Sequence, residues 1–263
     1  GSALGPAMAI MLSLVLGACA VDDDDKPVVE PPFQPPVDPT GLAPACPKMA
    51  ALEDSELPTW DLYITREGWD ELHEDVHANV RVQALLCIED KAHPITVELQ
   101  GASTRGLRKK SFDVKLRRGV PLTDPVFGEP ETRTRVLLKA MFQDQSLARE
   151  AIAFDMWREL GQEAPRVGHR NLRINGAYWG LYTVLEPVDE DYLAYHGYEP
   201  GGRLYKGVRK HGSRADFHPS REIPAAFENK TDEPAHARWD DLEALLDALQ
   251  RTPTTREAFE RDI

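Results

Sequence analysis

Positive charge is what this chain is short of. Its 263 residues carry 31 Lys and Arg against 44 Asp and Glu, a formal net charge of -13. A surface that grips nucleic acid needs a basic stripe to displace counterions from phosphate, so nucleic acid is not an expected partner. Cysteine is scarce too: three residues, Cys19, Cys46 and Cys87, are too few for a disulfide scaffold, and their meaning lies in their positions. The apolar run from Ala7 to Ala18 is too short to cross a bilayer as a helix. Neither G-x-G-x-x-G nor a Walker pattern occurs, which removes two phosphate-loop signatures.

What is present begins with that short apolar run, which closes on Leu16-Gly17-Ala18-Cys19. It resembles the signal of a bacterial lipoprotein, with residues 1–19 as the signal peptide and Cys19 as the lipid-bearing residue. No Met stands at position 1 and no Lys or Arg precedes Met8, so the chain is expected to begin inside a longer reading frame. Residues 20–56 are acidic and then proline-rich, with Pro31-Pro32, Pro35-Pro36, Pro39 and Pro44. Such a segment has too little to bury to offset the entropy of ordering, and reads as a tether. With Cys19 lipidated outside the cytoplasm, Cys46 and Cys87 remain as an even pair, and a disulfide between them is expected.

From residue 57 the pattern becomes that of a folded domain, read as 57–263. Trp60 to Thr65, Val80 to Ile88 and Ile95 to Gln100 alternate as strands of an antiparallel meander, and Thr65 is placed to cap a short helix through Trp69 and Leu72. His73-Glu74-Asp75-Val76-His77 satisfies H-E-x-x-H, but the helical pattern fails at Ala78-Asn79, where a zinc protease needs a sustained helix. Gly101 to Leu116 is a Gly- and Ser-bearing loop leading into a strand with a cationic start, Arg105, Arg108, Lys109 and Lys110. Arg135 to Met141 reads as a strand. Asp144 or Ser146 then caps a helix through Leu160, with Leu147, Ala151, Phe154, Trp157 and Leu160 as a core stripe and Gly161 as the stop. Asn175-Gly176, between Val167 to Ile174 and Tyr178 to Leu185, is a strong hairpin signal, because both residues accept the positive φ of a type I′ turn. Glu186-Pro187 stops the second strand. Trp239, Leu242, Leu246 and Leu249 form an amphipathic helix.

Several of these segments together resemble the spore coat protein H (CotH) kinase family: Gly101-x-Ser103 followed by Lys109-Lys110-Ser111-Phe112, Asp144-x-Ser146-x-x-Arg149-Glu150, the hairpin Asn175-Gly176 to Glu186, and Gly202-x-Leu204-Tyr205-Lys206. Gln100 departs from the Arg that many members carry. The resemblance implies an α+β, atypical protein-kinase-like N-terminal lobe, an antiparallel sheet with packed helices, its C-terminal lobe incomplete. It implies an extracytoplasmic enzyme of the bacterial cell envelope, held to the membrane by its lipid anchor, that moves phosphate from ATP with Mg²⁺ to Ser or Thr of secreted or surface proteins. On that reading Lys109, then Lys110, with Lys115 in reserve, meet the phosphates. Ser103 belongs to the phosphate loop, Glu150 faces the phosphate-binding lysine, and Glu186 lines the nucleotide pocket. The family's catalytic Asp and its metal-binding Trp-Asp-x-Asp are expected after Ile263, so this stretch by itself is read as inactive and without metal ligands. The rival readings are a non-catalytic surface lipoprotein that binds a partner or builds an envelope layer, and the zinc protease.

Overall fold

The structure is a computed structural model that describes residues 10–11, 46–52, 55–116, 122, 124, 126–127, 133–199, 202–208, 223–231, 238–251 and 255–262. The expected lipidation at Cys19 and the tether up to residue 45 lie outside the described residues. The strands are β1 (Ile10–Met11), β2 (Thr59–Ile64), β3 (Arg81–Ile88), β4 (Lys91–Gln100), β5 (Ser111–Leu116), β6 (Arg135–Lys139), β7 (Val167–Ile174), β8 (Ala177–Leu185), β9 (Tyr205–Gly207) and β10 (Phe227–Asn229). The helices are α1 (Arg66–Glu74), α2 (Arg149–Glu159), α3 (Glu190–Tyr195), α4 (Ile223–Ala226), α5 (Asp240–Arg251) and α6 (Arg256–Asp262). Two compact units result, Ala18–Pro187 and Val188–Ile263 together with Gly1–Gly17.

The first unit is a closed barrel in the order β2-β3-β4-β5-β6-β8-β7. Neighbours are antiparallel except β2 and β7, whose parallel pairing (Trp60 opposite Leu172, Leu62 opposite Ile174) closes the ring. Closure corrects the expected α+β lobe with packed helices: this unit is mainly β, and its sheet is covered from within. Alternate residues such as Leu62, Val97, Phe112, Val136, Leu172 and Val184 point inward, so the strands bury one another, and α1 adds Trp69 and Leu72. A closed ring also leaves no edge with unpaired N–H and C=O groups. Alternation in the sequence shows which side chains share a face but says nothing of which strand meets which across the gap.

Local signals hold where the chemistry is local. Thr65 caps α1 through its side chain, accepting from the Gly68 N–H at 3.1 Å. Asn175 (φ 50°) and Gly176 (φ 83°) make the hairpin turn, and Asn175 Oδ1 also accepts from Ile64 N at 2.9 Å, fixing the turn against β2. Cys46 and Cys87 are joined by a disulfide, which carries the described segment 46–52 onto the outer face of β3 beside Tyr63 and Leu85. The H-E-x-x-H reading fails. α1 stops at Glu74, Asp75 is extended, and His73 stacks on Trp69 with its Nδ1 2.8 Å from the Trp69 carbonyl, so His77 does not share a helix face with it.

The stripe expected on α2 is also corrected. Leu147 sits before the helix in a left-handed conformation (φ 55°), and no residue of α2 is buried. Trp157 and Leu160 are 51% and 70% exposed, with Ile152 at 55% and Met156 at 62%.

The second unit places β9 between β1, parallel, and β10, antiparallel. Tyr205 and Phe227 meet Leu242 and Leu246 of α5, the amphipathic helix read from the sequence, with Trp239 packed alongside.

Candidate functional site

The loop from Gly101 to Lys110 is folded back and tied down by its own cations. Gly101 takes φ +116°, and a Cβ there would stand 2.1 Å from Thr104 Oγ1, so only glycine allows this start. A 3-10 turn, Ser103–Gly106, follows. Arg105 Nη1 donates to the Ala78 carbonyl and to Asn79 Oδ1, each at 3.0 Å, and Lys110 Nζ donates to the Arg105 carbonyl at 2.7 Å. Lys109 Nζ donates to the Leu181 carbonyl at 2.6 Å and lies 4.4 Å from the centre of the Tyr182 ring. That carbonyl belongs to a stretch of β8 beyond its last pairing with β6 (Thr183 opposite Lys139). The lysine therefore serves an acceptor next to where the ladder has ended. Gly180 makes room, since a Cβ there would come 3.3 Å from Lys109 Nζ. Burial pulls the Lys109 pKa down to about 8 and lowers that of Lys110. Both lysines precede β5, so strand alternation does not set where they point. Ser103 is exposed at the loop's start, and Lys115 is exposed along β5.

A second constellation forms where β6 hands over to α2. β6 ends Val136-Leu137-Leu138-Lys139, and Val136 and Leu138 fill the barrel, so Lys139 stands on its outer face. Met141 turns the chain at φ 49°. Asp144 then anchors the helix start, its carboxylate accepting from Ser146 N at 3.1 Å and Arg149 N at 2.8 Å. Burial pushes the Asp144 pKa up, but hydrogen bonds from the Ser146 hydroxyl and the Arg149 and Ser146 N–H groups outweigh it and hold the carboxyl below its ordinary value. α2 begins after Ala148, its N-cap, which puts Glu150 in the first turn with Oε1 3.7 Å from Lys139 Nζ, the two side chains about a quarter exposed at 24% and 26%. Glu150 Oε2 is buried without a hydrogen-bond partner, as is Thr183 Oγ1, and Thr183 is the residue opposite Lys139 in the β6–β8 ladder. An ammonium with a loosely held carboxylate, an orphan carboxylate oxygen and an orphan hydroxyl on one strand-and-helix face is a polar site with unused capacity.

The sequence reading gives Glu150 a lysine partner, and the structure supplies Lys139 rather than Lys109 or Lys110. Lys139 was missed, although a signal exists. Val-Leu-Leu-Lys ending a strand, followed by a helix with Glu in its first turn, has the form of the strand lysine and helix glutamate of protein kinases.

Glu186 lies elsewhere, sealed at the end of β8. Its Oε1 is 2.7 Å from Arg133 Nη2, its Oε2 accepts from Arg166 N at 2.8 Å, and neither side chain of the ion pair reaches solvent appreciably. Lys206, from the Leu-Tyr-Lys stretch, is about half exposed on β9 and 4.0 Å from Glu228.

Comparison with known proteins follows the same lines. The model of the CotH kinase protein family matches residues 97–263, from the middle of β4 onward and well over half of the chain. Inner spore coat protein H of Bacillus subtilis (strain 168) is 29% identical over 154 residues, 57% of this chain and 40% of that protein, so the chain spans less than half the length of this relative. The matched span holds both the tied loop and the Lys139–Glu150 pair, and the chain belongs to the CotH kinase protein family.

Proposed function

We propose that this chain is the nucleotide-binding part of an atypical protein kinase that acts outside the cytoplasm, on Ser or Thr hydroxyls of secreted, surface or coat proteins. The observation that carries the reading is the Lys139–Glu150 pair. Phosphoryl transfer is mainly positioning and neutralisation of charge, and in protein kinases a strand lysine on the phosphates, steadied by a helix glutamate, supplies part of both. ATP would bring the phosphoryl group; Lys139 would meet phosphate oxygens, Glu150 would hold its ammonium in place, and the hydroxyl of Thr183, the residue opposite Lys139 in the ladder, would be a further donor. The 3.7 Å gap suits a pair that tightens when an anion joins it. Lys109 is a second cation on the route, released from the Leu181 carbonyl if phosphate competes for it. Its neighbours Arg105 and Lys110 stay committed to the loop's own backbone, and Ser103 remains accessible at the loop's start. Family membership and the likeness to a spore coat protein support the kinase reading and the extracytoplasmic setting.

Among the described residues no group of three or more His, Cys, Asp and Glu side chains could hold a metal ion by itself, and Mg²⁺ would arrive with the ATP phosphates. No step at a metal is assigned to this chain.

The rival reading, a surface module that binds without catalysing, draws on the tied loop, where the cations expected to meet phosphate are engaged by backbone carbonyls. Calorimetric titration with Mg·ATP separates the two. The kinase reading expects saturable binding that Lys139→Met weakens by about tenfold or more while thermal stability stays within a few degrees. Absence of binding, or equal binding by Lys139→Met, favours the module.

A further inference from the structure

Among the described residues, the face of α2 turned away from the barrel is apolar and exposed. Ile152, Met156 and Leu160, at i, i+4 and i+8, form one continuous stripe and line a shallow hollow together with Asp155 and Glu159, and exposed Trp157 flanks it. Three large apolar side chains more than half exposed on one eleven-residue helix, with a fourth, Leu160, at its C-cap, go beyond the scattered apolar residues that any surface carries. On the helix's other side Ala151 and Phe154 are only partly buried. Its polar attachments among the described residues lie near its ends: the Asp144 anchor, the Lys139–Glu150 pair, His169 Nε2 at 2.7 Å from the Leu147 carbonyl, and Arg158 Nη1 donating to the Pro165 carbonyl at 2.6 Å.

Charge selects among coverings. The helix and the turn after it carry Glu150, Asp155, Glu159 and Glu163 against Arg149 and Arg158, and Arg158 is turned toward Asp155. A second copy would bring the same acidic rim against this one, in a chain whose net charge is already -13. An anionic membrane surface is repelled for the same reason. We propose that this face docks an amphipathic helix of a partner protein, with apolar anchors at i, i+4 and i+7 or i+8 flanked by Lys or Arg, in the helix-on-groove mode. Glu150 rides in the first turn of the docked helix, so the partner also sets how closely it approaches Lys139; this coupling, though not the docking, rests on the kinase reading.

The test is fluorescence anisotropy of two labelled 18-residue Leu/Lys peptides of equal charge added to the full chain. One carries its leucines as a helical stripe and the other has the same residues scrambled. The stripe peptide is expected to bind at least tenfold more tightly, and Met156→Glu with Leu160→Glu to abolish that preference while the circular dichroism melt is unchanged. Equal binding of the two peptides, or a preference that survives the double substitution, overturns the proposal. So does self-association of the wild type, by sedimentation, that the double substitution removes, because the second copy is then the covering. Mg·ATP affinity measured on the same samples keeps the readings apart: loss of the Lys139→Met effect sinks the kinase reading and leaves the docking result standing.

Discussion

Lys109 and Glu186 show how a residue's surroundings decide its chemistry. Lys109 has a pKa of about 8 in the fold because burial disfavours its charge, against roughly 10.4 in an unfolded chain. Between those values the unfolded chain holds a proton that the fold has released, so this residue makes stability rise with pH across that window and contributes no slope below it. Urea midpoints measured from pH 7 to pH 10 should therefore show the stability difference between wild type and Lys109→Met moving in favour of wild type above pH 8. A difference that stays flat contradicts the buried placement. Glu186 is expected to behave as structure. Glu186→Gln removes the carboxylate charge 2.7 Å from buried Arg133 and should cost roughly 3–5 kcal/mol by chemical denaturation. A nucleotide contact would instead lower ATP affinity with stability intact. Arg133, 53 positions upstream of Glu186 by their numbers, carries no local sign of the pairing.

Elements were legible wherever a signal acts over a few residues. Thr65 caps from within one turn, and Asn175-Gly176 sets its own dihedral angles, so that helix start and the hairpin could be read directly, whereas α2 begins after Ala148, which gives no side-chain cap, and Asp144 reaches Arg149 N from five residues back. Gly176→Ala places a Cβ at φ 83° and should cost about 1–2 kcal/mol, seen as a lowered denaturation midpoint. α2 was misread because helical spacing reports that apolar residues share a face and not that anything covers it. Leu147, counted as the first member of its stripe, turns out of the helix altogether. Leu160→Lys should accordingly change stability by no more than about 0.5 kcal/mol, as a surface substitution does; a loss of several kcal/mol would mean the face is packed after all. The tied loop was found by sequence, yet where its cations point was not. Their acceptors, the carbonyls of Ala78 and Leu181, are backbone groups that any residue would present.

For the whole molecule, seven strands were largely in reach of pattern reading and the barrel was not. Closure depends on β2 meeting β7 more than a hundred residues away, and the parallel register there is set by packing of Trp60, Leu62, Leu172 and Ile174 rather than by any turn. The candidate site was only half hidden: a strand-ending Lys139 and a helix-starting Glu150 stand in the sequence, but that the two meet is decided when α2 folds back onto the strand. Phosphate transfer from radiolabelled Mg·ATP to a Ser- and Thr-rich acceptor protein, by the protein as its complete gene encodes it, tests the central claim most directly. The account predicts transfer that Lys139→Met reduces by about 10²–10³-fold without unfolding the protein, and that Glu150→Gln reduces to a smaller degree. Transfer at the wild-type rate by Lys139→Met would contradict it.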